Sequence, residues 1–480
     1  MILRRPLPLL PALAGLVLAG CLVGPDYERP ELTLPETYMG AETTDTSLGD
    51  LPWWQVFNDP AMVALLNAAV DANRDLRVAA ARVAEAQARY GVARSAQFPV
   101  LGVEANAARG NSGELLRPGS GPTNSYFAGL GAAYEADLWG QFRRGSEAAR
   151  AELLASAENR RVVLITLLAD VASAYLLLQD LDARLQISVE TERLRHESTE
   201  LIRARFAQGT VALIDVNQAE VQEAEAAAQV AALSRQVRET ENLLNLLVGR
   251  NPQPILRDAS LQTSLAEAEQ RLAPAIPVGL PSQLLERRPD IRRAERALAA
   301  QTARIGIAQS LRFPAIRLTG SFGVASDELS GLSSGTTIWG VGIDLFAPLI
   351  DAGRRRAQVA AEVARTEAAV NVYEQTVLAA LREVEDALAG IQGYRRELAA
   401  RTRQVRAARS ASNLSRARYD GGVTDYLEVL DSERSLFNAQ LAASQVRRLE
   451  LVSLVQLYRA LGGGWTPDDI DRAPPEPAVP

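Results

Sequence analysis

The sequence predicts a mainly helical fold that also carries the wall of a transmembrane β-barrel, and three observations predict it. The chain is duplicated; each copy has a long helical stretch with heptad spacing; each copy also has two segments that alternate apolar with small or polar residues. Ala88-Arg89-Tyr90-Gly91 and Ser95-Ala96-Gln97-Phe98-Pro99 return as Ala303-Arg304-Ile305-Gly306 and Ser310-Leu311-Arg312-Phe313-Pro314, about 215 residues later. Asp137-Leu138-Trp139 returns as Asp344-Leu345-Phe346. Ala204-Arg205-Phe206 with Gly209 returns as Ala417-Arg418-Tyr419 with Gly422.

Composition narrows the chemistry. The 480 residues are 47% hydrophobic, 23% charged and 5% aromatic, enough apolar content for folded cores. One Cys and one His cannot supply an intrachain disulfide, an N/S zinc site or a Cys–His nucleophile pair. All 51 basic residues are Arg, so neither a Schiff-base lysine nor a P-loop lysine exists. A net charge of −7 without a long basic run argues against nucleic acid as a partner. These counts point away from an enzyme, a metal centre and a cofactor.

In chain order, residues 1–20 read as a lipoprotein signal peptide. Arg4 and Arg5 precede an apolar stretch from Leu7 to Ala19 that is too short to span a bilayer as a helix. Leu18-Ala19-Gly20-Cys21 resembles the bacterial lipobox, whose thiol is acylated and becomes the mature N-terminus. Leu22, rather than Asp, follows it, which favours the outer membrane. Several acyl chains anchor firmly where one alone is marginal.

Residues 21–60 form the acylated N-terminal segment, and residues 61–250 the first repeat: a helix, strands at about 98–109 and 123–139, and a helical hairpin at 141–248. A Pro-rich linker occupies 251–281. The second repeat, 282–462, holds a helix, strands at about 313–325 and 336–347 and a hairpin at 353–461, before a tail at 463–480.

The helices follow from heptads. Between Arg143 and Phe206 there is no Pro, and Leu164, Val171, Leu178 and Leu185 recur with Leu167, Ala174 and Leu181 between them. Val363, Val370, Val377, Val384 and Ile391 repeat the spacing in the second copy. At 1.5 Å per residue the first run is about 95 Å long. After the turns at Gly209 and Gly422 come Ala-rich helices, Leu213 to Val248 and Tyr426 to Leu461. Ala-rich faces allow close approach, either side by side in a tube wall or as an antiparallel coiled coil.

The strands follow a period of two. Leu101, Val103, Ala105 and Ala107 alternate with Gly102, Glu104, Asn106 and Ala108, and Tyr126 through Leu138 alternates likewise. Ile316, Leu318, Phe322 and Val324 lie opposite Arg317, Thr319 and Ser321; Trp339, Val341, Ile343 and Leu345 lie opposite Gly340, Gly342 and Asp344. An apolar outer face, a small or polar inner face and terminal aromatics fit a membrane barrel better than a sandwich edge. Glu104, Glu135, Asp137, Arg317 and Asp344 are the expected lumen residues. Four strands cannot close a barrel, and open edges are not tolerated in lipid, so further copies must complete it. Two copies give about eight strands and three about twelve.

Cys21-Leu22-Val23-Gly24-Pro25-Asp26-Tyr27-Glu28-Arg29-Pro30 and Trp53-Trp54-Gln55-Val56-Phe57-Asn58-Asp59-Pro60 resemble the N-terminal signature of the TolC-like outer-membrane efflux proteins, OprM/NodT branch. Gly279-Leu280-Pro281-Ser282, Leu284-Leu285-Glu286-Arg287-Arg288-Pro289-Asp290-Ile291 and Pro348-Leu349-Ile350-Asp351-Ala352-Gly353-Arg354-Arg355 extend the match. The resemblance implies a homotrimer with a 12-stranded β-barrel in the outer membrane of a Gram-negative bacterium, a 12-helix tunnel in the periplasm and a mixed equatorial layer. It also implies a passive duct. A periplasmic membrane-fusion adaptor would dock on it, driven by an inner-membrane RND-type transporter.

The same resemblance assigns roles at the helical turns. Arg205, Gly209 and Thr210, with Arg418, Gly422 and Val423, match the adaptor-contacting tips. Leu427 and Asp431 match the segment that narrows the pore. A Leu ring would exclude water by dewetting while an Asp ring concentrates cations. The first copy has Ile214 and Gln218 there. His196, among Arg195, Glu197 and Glu200, reads as an exposed bystander. A type I protein secretion channel and a lipid-anchored helical scaffold are the alternatives; the motifs are silent on cargo.

Overall fold

The computed structural model describes residues 22–39, 59–110, 122–257 and 278–463. The signal peptide, Cys21, the Trp53-Trp54 motif, most of the first strand loop and of the linker, and the tail beyond 463 lie outside the described residues. The main elements are helices α1 (Pro60–Ala72) and α2 (Arg74–Ser95), strands β1 (Val100–Gly110) and β2 (Thr123–Ala136), and helices α3 (Gln141–Ala207) and α4 (Leu213–Leu247). Then follow α5 (Pro289–Ser310), β3 (Ala315–Ser326), β4 (Thr336–Phe346), α6 (Arg354–Asp420) and α7 (Tyr426–Ala460). The long helices have 67 residues each and the return helices 35 each. Both pairs keep a constant offset of 213 residues (354 minus 141, 426 minus 213).

One compact unit is drawn from residues 1–31, 83–156 and 293–373 and contains the sheet. Its strands are antiparallel in the order β1-β2-β3-β4, which leaves β1 and β4 as edges. Val103 pairs with Leu130, Leu130 with Phe322 and Phe322 with Trp339, so the apolar sets of all four strands share one face. That face is open: Val103 is 83% exposed and Val341 80%.

The other unit is drawn from residues 32–82, 157–292 and 374–480. Leu164, Leu167, Val171, Ala174, Leu178 and Leu181 are buried, as are Val377, Val384 and Ile391. Val363, which continues the second heptad and belongs to the sheet-bearing unit, is instead exposed. Hydrophobic spacing marks a face but does not supply its partner. Asp59 caps α1 by accepting the N–H groups of Ala61 and Met62, with Pro60 at the first helical position. Asp180, fully buried on α3, accepts a hydrogen bond from Ser444 Oγ of α7 at 2.6 Å and lies 3.4 Å from Arg448 Nε.

Candidate functional site

The polar face of the sheet is built by register. Glu135 pairs with Arg317 and Arg317 with Asp344, giving three charges in one cross-strand row. Arg317 Nη2 donates to Glu135 Oε2 at 3.4 Å. Glu104 shares this face and lies over Gly131, where a Cβ would come within 2.5 Å of Glu104 Oε1. Glycine here is what lets the carboxylate lie flat on the sheet.

Asp137 departs from the expectation. It lies beyond the end of β2, and its carboxylate accepts the backbone N–H groups of Phe142 at 3.2 Å and Arg143 at 2.9 Å. It caps α3, because unpaired N–H groups at a helix start attract an anionic acceptor. Asp351 does the same for α6, accepting from Arg355 N at 3.2 Å. The sequence equivalence of Asp137 with Asp344 therefore joins a helix cap to a strand residue.

The two helical turns share one geometry. Gly209 and Gly422 have φ of 74° and 69°, the left-handed region that favours glycine. Thr210 N donates to Arg205 O at 3.0 Å and Gly209 N to Phe206 O at 2.8 Å. Val423 N donates to Arg418 O at 2.9 Å and Gly422 N to Tyr419 O at 3.0 Å. These are paired Schellman ends, which satisfy the last carbonyls of each long helix. Arg205 and Arg418 thus receive the chain as it reverses.

The turns also pack on one another. Ile202, Val216, Ala219, Tyr426, Val429 and Leu430 form a buried cluster, with Val211 and Tyr419 against it. The Arg205 guanidinium lies 5.0 Å from the centre of the Tyr419 ring, and Arg416 Nη2 donates to Ser198 Oγ at 3.1 Å. Burial, and then the charge of Glu433, pushes the Tyr426 hydroxyl up to about 12, so it stays neutral. Motif reading named the turns but missed Tyr419 and Tyr426 as the groups that join the two hairpins.

Leu427 and Asp431 occupy one face of α7, a single turn apart. Leu427 is 60% exposed and Asp431 is exposed as well; Ile214, the first-copy counterpart, is 58% exposed. Arg434 Nη2 donates to Asp431 Oδ1 at 2.6 Å. The i,i+3 spacing brings the two charges together on the helix, and the pair offsets the negative charge expected of Asp431. His196 is exposed but not idle. Its Nδ1 lies 2.7 Å from Glu223 Oε1 on α4, and that hydrogen bond, with the Glu223 charge, raises its pKa. Among the described residues no cluster of His, Cys, Asp and Glu could hold a metal ion.

The sequence profile described as "Outer membrane efflux protein" matches residues 65–250 and 280–463, one segment per repeat. The chain is 36% identical over 468 residues to the solvent efflux pump outer membrane protein SrpC of Pseudomonas putida, covering 95% of this chain and 98% of that protein. It is 34% identical over 469 residues to the cation efflux system protein CusC of Escherichia coli, covering 96% and 99%. Among solved structures it resembles the open state of the MtrE outer membrane channel of Neisseria gonorrhoeae. The TM-score is 0.80 at 32% identity, over 92% of this chain and 98% of that one.

Proposed function

The chain belongs to the outer membrane efflux protein family, and from that premise we propose that it is the passive exit duct of a tripartite efflux pump, a lipid-anchored homotrimer opened at its tips. It is an outer-membrane channel component reaching into the periplasm, and its partners are a periplasmic adaptor and an inner-membrane transporter. The sheet carries the reading. Two open edges and one continuous, exposed apolar face suit lipid only when further copies close the ring. Three copies make twelve strands, and strands of 11 to 14 residues are long enough to cross a bilayer.

In this reading Glu104, Glu135, Arg317 and Asp344 line the lumen, and Leu427 with Asp431 narrows the periplasmic end. Arg205, Gly209, Thr210, Arg418, Gly422 and Val423 meet the adaptor. The lipobox supports acylation of Cys21. Relatives named for solvent and cation efflux favour small-molecule export over protein secretion. Native mass spectrometry of membrane-extracted protein tests the assembly: a trimer whose chains begin at acylated Cys21 is expected. A monomer, or a chain that retains its first twenty residues, would contradict it.

A further inference from the structure

The segment after Cys21 is gripped by one arginine. Arg144, on the first turn of α3, is 2% exposed. Its Nε donates to Val23 O at 3.3 Å, and its Nη2 donates to Gly24 O at 3.1 Å and to Asp26 Oδ1 at 2.8 Å; Nη1 donates to Glu147 Oε2 at 2.8 Å. Four of the five guanidinium N–H donors are engaged in this way, and a lysine could not reproduce the fork. Val23 N in turn donates to Trp139 O at 3.2 Å. Leu22 sits so close over Gly140 that a Cβ there would meet Leu22 Cδ1 at 2.5 Å. Gly24, with φ of 100°, lies against Gly306 of α5, where any added Cβ would collide with Val23 O. Tyr27 and Arg29 both donate to Glu295 farther along α5.

The place of the grip matters. The start of β1, the end of β2, the start of β3 and the end of β4 share one end of the sheet by register. Trp139 stacks on Phe313 there at 4.6 Å, and Phe98, Phe346, Leu349 and Ile350 are exposed at the same end. Aromatic residues at one end of membrane strands mark the headgroup level. Leu22, the covalent neighbour of Cys21, is held at that level.

We propose that Arg144 is a positioning residue that clamps the segment from Leu22 to Arg29, so that the acyl chains on Cys21 enter the bilayer at the depth of the aromatic band. The anchor then sets the height of the sheet in the membrane instead of serving as a loose tether. This rests on the lipid-anchored outer-membrane reading above.

A spin label at Pro25→Cys, an exposed position within the clamp, tests it in the full-length protein in lipid. Acylation consumes the Cys21 thiol, so one label per chain is expected; two labels would refute the anchor reading while leaving the clamp measurable. The clamp predicts a restricted label whose depth, read by oxygen against aqueous relaxants, matches a label at Phe346→Cys. Asp26→Asn, an exposed change that leaves the helix intact, and Arg144→Met should each speed the label's motion by about threefold or more. Gly306→Val should do so from the opposite side. Unchanged motion and depth in Asp26→Asn and Gly306→Val, or free motion in the parent, would overturn the proposal.

Discussion

The guanidinium of Arg205, in the last turn of α3, lies 5.0 Å from the centre of the Tyr419 ring at the end of α6. The contact joins two hairpins whose turns are 213 residues apart in sequence (422 minus 209). Tyr419 in turn lies 5.3 Å from Tyr426, a member of the buried cluster. If opening separates the hairpin ends, this contact opposes it. A half-exposed cation–π pair is worth about 0.5–1 kcal/mol, so Arg205→Met should raise the open fraction of reconstituted channels about two- to fivefold. Single-channel recording of open probability checks this.

Asp137 and Glu135, two residues apart, should behave differently. Loss of the Asp137 cap in Asp137→Ala removes acceptors for two helix N–H groups and should cost about 1–2 kcal/mol, read as a lower unfolding temperature with unchanged ion selectivity. Glu135→Gln should shift selectivity and leave thermal stability nearly unchanged. Equal effects from the two variants would return Asp137 to the lumen.

The single histidine permits a clean titration. Glu223 raises the His196 pKa and is itself lowered, chiefly by the same hydrogen bond. A raised histidine pKa stabilises the folded hairpin fully below about 6.5, and the contribution fades as pH rises through the raised value. NMR of the ring protons should report a pKa above about 6.5, falling toward that value in Glu223→Gln. A value at or below 6.5 in the parent protein would show the pair to be broken in solution.

Arg434 tempers Asp431. Arg434→Ala should increase cation preference by leaving the carboxylate unpaired, and Asp431→Ala should reduce it; reversal potentials in asymmetric salt distinguish the two. Because both side chains are exposed, the effect should weaken as ionic strength rises.

Most of the architecture was readable because its signals are local and periodic. Alternation along residues 100–110 and 315–326 names the two faces of each strand, and the register keeps those faces continuous across the sheet. Heptads at Leu164 to Leu181 mark a buried seam. Where a signal needs a distant partner, it fell silent: nothing near Arg144 announces Val23 or Asp26, and nothing near Arg205 announces Tyr419. Asp137 reads as a strand residue because alternation of small and apolar residues runs on through Leu138, two residues past the strand end, into a segment that already serves a helix.

Single-channel conductance of the purified protein in planar bilayers, with Leu427→Ala and Asp431→Ala beside the parent, tests the duct and its narrowing together. The parent should form discrete channels of low open probability, and both variants should conduct more, with Asp431→Ala also less cation-selective. A parent without channel activity, or variants identical to the parent in conductance, opening and selectivity, would contradict the account.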